Sequence, residues 1–516
     1  MILSGNDLDH AMLGMGALYA GVAYAPISPA YSLISSDHAK LRYIIDLVTP
    51  GLIYAADGAV FGRAIEHAVP PGVELAVTRN PPSNRAATLF ADIERKPVTP
   101  AVDAAHAAIT ADTIAKFLFT SGSTGQPKAV INTQRMLCSN LAMISAHFEF
   151  MQTEPPVTLD WSPWNHTAGG NHDFNLILHH GGTLYIDDGR PTAAGMDATV
   201  RNLRDVSPTW YFNVPKGYAA LVPYMRDDPE LAKSFYKNLN MMWYAGAGMA
   251  QHVWDELDEL SVRATGERIV VLSGLGSTET APFAMAANQT MIGAGNIGVP
   301  ARGVEMKLVP ADGKWEARLR GPLITPGYWR QPELTKAAFD EEGYYRLGDA
   351  LRFVDENDVN RGFYFDGRIA EDFKLDTGTW VAVGPLRAAF IDHCAPYVQD
   401  VVIAGIDREF IAALVFPDVD SCRALAGAPA ATMAELAANP RVREEMRKLL
   451  ASFAAKSTGS SNCVRRLTLL ADPPSIDRSE MTDKGSINQR AVLSNRAELV
   501  ASLYDKAPGA HVLTSD

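Results

Sequence analysis

Through its first 365 residues the chain alternates short, apolar, β-rich runs with longer helical stretches, and this alternation constrains the fold more than any other feature. Strands that recur between helices call for layered α/β architecture, because each helix must lay its apolar stripe on a sheet. Residues 116–120, 183–186 and 268–272 are examples of strand-like runs, and each leads into a glycine-containing loop. Open α/β sheets bind their ligands at such strand ends. The pattern changes around residues 362–374, where a strand at 363–365 ends in Asp366, Gly367 and Arg368. Beyond it, runs at 401–406 and 410–416 flank a turn at Asp407 and Arg408, the signature of a hairpin. A chain of 516 residues also exceeds the ~250–300 residues that one hydrophobic core supports. We therefore expect a large α/β domain over 1–367 and a small α+β domain over 368–516. The Ala/Pro-rich stretch at 424–431 reads as a surface loop between helices.

One segment imitates a membrane or export signal. Residues 11–25 form an apolar run, but Asp7 and Asp9 precede it where a signal peptide carries lysine or arginine, and it is short of the ~20 residues a bilayer crossing needs. It reads as a buried helix running into a strand, in a cytoplasmic protein without membrane insertion. The formal net charge of −13 sets the average surface against phosphate backbones, which disfavours nucleic acid as a partner and requires any phosphate site to be local. Cys138, Cys394, Cys422 and Cys463 lie far apart in sequence, with no metal-ligand spacing.

Residues 117–128 read FLFTSGSTGQPK, a strand feeding a loop of glycines and hydroxyls that closes on Lys128. Glycines let successive backbone N–H groups converge on an anion, hydroxyls add donors and lysine adds countercharge. The loop suits polyphosphate, although two residues separate Gly122 from Gly125 and Lys128 does not follow the second glycine, so it is not a Walker A loop. Further strings follow: WSPWNHTAGG at 161–170, YAGAG at 244–248, GLGSTET at 274–280, YRLGD at 345–349, FDGR at 365–368 and MTDKGSINQR at 481–490. Singly, each has an ordinary reading: a packed histidine, a helix-start glutamate, a Gly-Asp turn, a solvated lysine.

Together and in this order, the strings resemble the superfamily of acyl-CoA synthetases, peptide-synthetase adenylation domains and luciferases. That resemblance implies a large, multi-subdomain adenylation domain with a small mobile C-terminal lid. Thr120, Ser121, Gly122, Ser123, Thr124, Gly125 and Lys128 would hold the phosphates of ATP. Thr278 would touch phosphate and Glu279 would hold Mg²⁺, a hard cation that favours oxygen ligands. Gly246, Ala247, Gly274, Leu275, Gly276 and Ser277 would line the adenine site. Asp349 and Arg368 would reach the ribose, with Lys374 also on the nucleotide side. His166 would stand at the wall and gate of the carboxylate pocket, and Lys484 would bridge the substrate carboxylate and the α-phosphate as charge develops. The activity so implied is ATP-dependent formation of an acyl-AMP and then an acyl-CoA from a small, aromatic carboxylic acid, with coenzyme A as cosubstrate.

Three positions depart from the family pattern. Ser486 stands where the lysine usually follows the glycine, Leu275 where an adenine-stacking tyrosine is common, and Ala370 where a hinge Lys or Asp often sits. Residues 2–6 (ILSGN), 24–32 (YAPISPAYS), 128–133 (KAVINT), 368–374 (RIAEDFK) and 379–384 (TWVAVG) further resemble feruloyl-CoA synthases. Relatives of that subgroup carry additional sequence before the position of Met1, so the chain is expected to be N-terminally short. The rival readings are another aryl- or acyl-CoA ligase, an adenylating enzyme with a carrier-protein step, and a non-catalytic nucleotide-binding regulator. A carrier segment would have to fit within some 25 residues after Arg490.

Overall fold

A computed structural model describes residues 1–121, 126–291, 293–311, 313–482 and 485–515. The chain is α/β throughout, and its contacts divide it into two compact units. The first comprises Met1–Val309, Ala317–Leu347 and Arg352–Phe365; the second comprises Pro310–Glu316, Gly348–Leu351 and Asp366–Asp516.

In the first unit β1 (Leu52–Asp57), β2 (Glu74–Arg79) and β3 (Thr88–Leu89) form a parallel sheet. β4 (Ile114–Ser121) and β5 (Pro127–Thr133) form an antiparallel hairpin that sets Thr120 opposite Lys128. β6 (Val157–Asp160) pairs in parallel with β7 (Thr183–Ile186). A five-stranded sheet then runs in the order β12-β11-β10-β9-β8. Its β8 (Trp210–Asn213), β9 (Met241–Tyr244) and β10 (Val270–Leu275) are parallel, and short β11 (Met285–Ala286) and β12 (Val299–Pro300) close its edge antiparallel. Every residue of β8 and β9 is buried, as expected of parallel strands covered on both faces.

The chain continues through β13 (Glu305–Ala311), β14 (Lys314–Arg320), β15 (Tyr345–Phe353) and β16 (Phe363–Arg368). The hairpin of β17 (Phe373–Lys374) and β18 (Trp380–Val381) follows. The second unit is built on β19 (Val398–Ala404), β20 (Ile411–Pro417), β21 (Val464–Leu469) and β22 (Val512–Thr514), adjacent in that order. Strand periodicity divides β20 cleanly: Ile411, Ala413 and Val415 enter one core with Phe390 and Leu450, while Ala412, Leu414 and Phe416 enter another with Val492 and Leu503. That two-sided burial explains a continuous apolar run where a half-exposed strand would alternate.

Several sequence expectations shift. The run at 11–25 contributes to a helix at Leu8–Tyr19, capped by Asp7, but only His10, Ala11 and Gly14 are buried on it, and Leu8, Met12, Tyr19 and Val22 are exposed. The strand expected after it is reduced to isolated bridges, Ile2 with Pro26 and Tyr24 with Lys116. β10 begins at Val270, because Arg268 turns out to an ion pair with Asp258 at 3.1 Å. The loop expected at 424–431 starts later, since the helix Val419–Ala426 runs on until Gly427 adopts a left-handed φ of 67°. Among the described residues no helix is long and apolar enough to cross a membrane.

Candidate active site

The β4–β5 hairpin carries the phosphate-type loop. Gly122, Ser123, Thr124 and Gly125 lie outside the described residues, and of Ser121 only the backbone, ending β4, is described. At the base of the loop the Lys128 ammonium donates to Tyr328 Oη at 3.0 Å, and Tyr328 Oη donates to Glu279 Oε1 at 2.9 Å. Lys128 Nζ stands 3.9 Å from the same carboxylate oxygen and 4.4 Å from the centre of the tyrosine ring. Burial first, and then the Glu279 carboxylate, hold the Tyr328 hydroxyl well above the ordinary phenol range, so it remains a donor.

Backbone pairing fixes this arrangement. Val130 bridges Tyr328, Ile131 N donates to Gly327 O at 3.1 Å, and Trp329 N donates to Ala129 O at 2.8 Å. Gly327 is required there: its φ is +138°, and a Cβ would lie 2.3 Å from the Thr335 methyl. Glu279 sits in the single 3-10 turn Thr278–Thr280, its carbonyl accepting from Thr325 N at 2.8 Å. The chain doubles back so tightly that a Cβ at Gly276 would lie 1.4 Å from Pro282 O. Thr278 and Glu279 are both buried, and Thr120 Oγ1 is buried with no hydrogen-bond partner among the described residues. The donor set is oxygen throughout with one lysine beside it, which fits a hard divalent cation carried by polyphosphate.

Two further loops leave one edge of the five-stranded sheet. Asn213, Tyr244 and Ser273 lie in register at the C-terminal ends of β8, β9 and β10, so Gly246 and Ala247 follow β9 where Gly276 and Ser277 follow β10. Such an edge is the usual ligand site of a parallel sheet. Gly246 and Ala247 are exposed; Gly274 and Leu275 close β10, paired with Ala286 and Met285.

The aromatic motif at 161–170 is pinned by Asn6, which donates to Ser162 O at 2.8 Å and accepts from Trp164 N at 2.9 Å. His166 is half-buried, and its Nδ1 accepts from Ala168 N at 3.3 Å. Next comes a π-helix at Ala168–Phe174, a wide turn that recurs at functional sites. It is tied to the hairpin twice: Asn171 Nδ2 donates to Asn132 Oδ1 at 2.8 Å, and Lys116 Nζ donates to Gly170 O at 3.4 Å. Its buried His172 and Asp173 meet at 3.0 Å, and the His172 ring packs 5.7–6.5 Å from Trp210, Phe212, Trp243 and Phe283. Burial pushes His172 down to about 4, which leaves the ring neutral at pH 7, and burial raises Asp173 and Asp160 well above the ordinary carboxylate value.

Sequence reasoning stopped at Gly170 and passed over His172, Asp173, Lys116 and Tyr328. A polar cluster, Asn171, His172, Asp173 and Asn175, set directly before the apolar run 176–178 was a legible signal for the first pair. Tyr328 had none, since its partners lie 200 and 49 positions away.

Asp349, Arg368 and Lys374 belong to the second unit. Arg368 Nε is 3.8 Å from Asp349 Oδ1, but the arginine side chain is 68% exposed, so the pair is loose. Lys374 lies 5.4 Å over the Trp380 ring, joined through the β17–β18 pairing. Beside Ala370, the buried Asp372 accepts from Lys314 Nζ at 2.6 Å and from Val383 N at 2.8 Å. Lys484 lies outside the described residues.

Comparison with known proteins adds the following. Residues 1–329 match the family model described as AMP-binding enzyme, and residues 374–508 match the AMP-binding enzyme C-terminal domain. A probable CoA ligase of Humulus lupulus is 26% identical over 336 residues, 60% of this chain and 52% of that protein. The malonate–CoA ligase of Arabidopsis thaliana is 27% identical over 319 residues, 57% of this chain and 48% of that protein. The chain thus spans about half the length of these curated relatives. Among solved structures, ATP-bound MatB from Rhodopseudomonas palustris aligns with a TM-score of 0.68 at 19% identity, over 97% of this chain and 88% of that one.

Proposed function

Because the chain belongs to the AMP-binding enzyme family, we propose that it is an AMP-forming acid–thiol ligase that joins a carboxylic acid to coenzyme A at the expense of ATP. The observation that carries this reading is the Lys128–Tyr328–Glu279 constellation at the base of the glycine-hydroxyl loop, together with a Thr120 hydroxyl that has no hydrogen-bond partner among the described residues. A lysine and a carboxylate held together but short of contact suit a triphosphate that arrives with its cation.

In the first half-reaction the substrate carboxylate attacks the α-phosphorus of ATP; the bond to pyrophosphate breaks and acyl-AMP remains. In the second, the coenzyme A thiol attacks the acyl carbonyl and AMP leaves. No protein nucleophile is needed, so the residues act by position and charge. Thr120, Lys128 and the loop between them hold the β- and γ-phosphates, and Thr278 adds a hydroxyl. Glu279 would hold Mg²⁺, which when bound supplies charge neutralisation on the phosphates. Gly246, Ala247 and residues 274–277 pass close to the adenine, Asp349 and Arg368 hold the ribose with Lys374 nearby, His166 gates the acid, and Lys484 neutralises the reacting oxygens. The division into domains at 1–367 and 368–516 belongs to the same reading, the small domain alternating between the two half-reactions.

For the acid we propose a hydroxycinnamate, with ferulate the leading member, and a cytoplasmic place of action. Support comes from the subgroup resemblance of five separate strings and from the aromatic wall around His172. The test is pyrophosphate release over cinnamic, benzoic and fatty acids, with and without coenzyme A. Release without a thioester product overturns the coenzyme A step, preference for fatty acids overturns ferulate, and absence of release with every acid leaves only nucleotide binding.

A further inference from the structure

We propose that Tyr328 is a positioning residue whose hydroxyl keeps Lys128 and Glu279 from neutralising each other, so that both charges stay available to an incoming triphosphate and its cation. The proposal rests on the nucleotide-binding reading of this site and deepens it.

The hydroxyl is fully engaged. Its one proton goes to Glu279 Oε1 at 2.9 Å, and its lone pairs receive Lys128 at 3.0 Å and the hydroxyl of Tyr345. Lys128 and Glu279 remain 3.9 Å apart, where a relaxed ammonium–carboxylate hydrogen bond would close to ~2.8 Å. At 5% exposure Glu279 lies where a contact pair is strongly attractive, so the spacing needs something to maintain it. The phenol oxygen does this, and its ring, below the ammonium at 4.4 Å, leaves Lys128 a second favourable surface. The hydrogen bonds of residues 327 and 329 to 131 and 129 fix the backbone that carries the ring, and the side chain itself is buried. Lys128 can therefore exchange the phenol for a phosphate oxygen while Tyr328 still orients the carboxylate. AMP, which lacks the β- and γ-phosphates, should be indifferent to the device.

Tyr328→Phe is the test, because it keeps the ring, the strand bridge and the cation–π contact and removes only the oxygen. Titration calorimetry of the full chain with a non-hydrolysable ATP analogue, with and without Mg²⁺, and separately with AMP, is compared with the parent. We expect about tenfold weaker binding of the analogue in Mg²⁺, unchanged binding of AMP and an unchanged thermal midpoint. Lys128→Met should weaken the analogue comparably, and the double variant should lose less than the two single losses combined, since all act on one cluster. Equal binding of the analogue by parent and Phe variant overturns the proposal, as does equal weakening of analogue and AMP, which marks a merely structural role. A parent that binds neither nucleotide overturns both this proposal and the functional reading; a parent that binds both but releases no pyrophosphate overturns the functional reading alone.

Discussion

Lys116 offers a measurement in which burial, charge and stability can be separated. It occupies β4 four residues before Thr120 and is 1% exposed, with the Gly170 carbonyl at 3.4 Å and the Tyr24 ring at 5.6 Å from its ammonium. Burial pushes its pKa from 10.5 down to about 7. At ~1.4 kcal/mol per pH unit that displacement is on the order of 5 kcal/mol of lost stability. Between pH 7 and 10.5 the unfolded lysine holds a proton that the folded one has released, so stability rises with pH in that window; the penalty is full below about pH 7 and fades as pH approaches 10.5. Replacing Lys116 by Met retains length and volume and removes the charge. Allowing ~1 kcal/mol for the carbonyl left without a donor, Lys116→Met should gain about 4 kcal/mol at pH 7. The gain should shrink by ~1.4 kcal/mol for each pH unit above that. Urea denaturation followed by tryptophan fluorescence is suitable, because Trp161, Trp164, Trp210, Trp243, Trp254 and Trp329 all lie in the first unit. Comparing the two proteins at each pH cancels every other titration. A variant no more stable than its parent at pH 7, or one whose advantage is the same at pH 10, would refute the argument.

Glu279→Gln keeps an acceptor for Tyr328 but removes the charge, and acid-dependent pyrophosphate release should fall on the order of a hundredfold at saturating Mg²⁺; near-parental rates would contradict the role given to Glu279. Asp160→Asn preserves the acceptor that Ser162 N reaches at 2.8 Å while removing an acid held above its ordinary range by burial and then by Asp173. The folded acid keeps its proton where the unfolded one has lost it, so the variant should be more stable at pH 7, with the gain vanishing toward pH 4, as read from urea midpoints. Lys314→Met strips the partner from fully buried Asp372 and should destabilise the second unit by ~3–5 kcal/mol, visible as faster amide exchange in β17 to β20; unchanged exchange would show that Val383 N alone satisfies the carboxylate.

What the sequence made legible was contiguous. The run at 183–186 matches β7 because four apolar or β-branched residues lie between turn residues, and the hairpin at 401–416 is there because both strands are long and almost wholly apolar. The helix at Leu8–Tyr19 shows the converse: apolar composition did not say which side faced inward, and the exposed Leu8 and Met12 lie one turn apart. At the site, strings such as 274–280 carry their geometry locally, since Gly276 and Glu279 are set by one tight turn. Tyr328, Lys116 and His172 gain their meaning only from partners brought in by tertiary packing, which no spacing rule along the chain encodes.

The hydrogen bond between Asn171 and Asn132 has a consequence for redesign. Asn132 shares one face of β5 with Val130, which bridges Tyr328, and with Lys128 itself. If residues 168–174 border the acid as the proposed function has it, reshaping them for a different acid would strain that rung and be felt at the lysine end of the strand. Acid preference and triphosphate grip should then drift together in any library confined to the helix, and substitutions that retain Asn171 should be the ones that change one without the other.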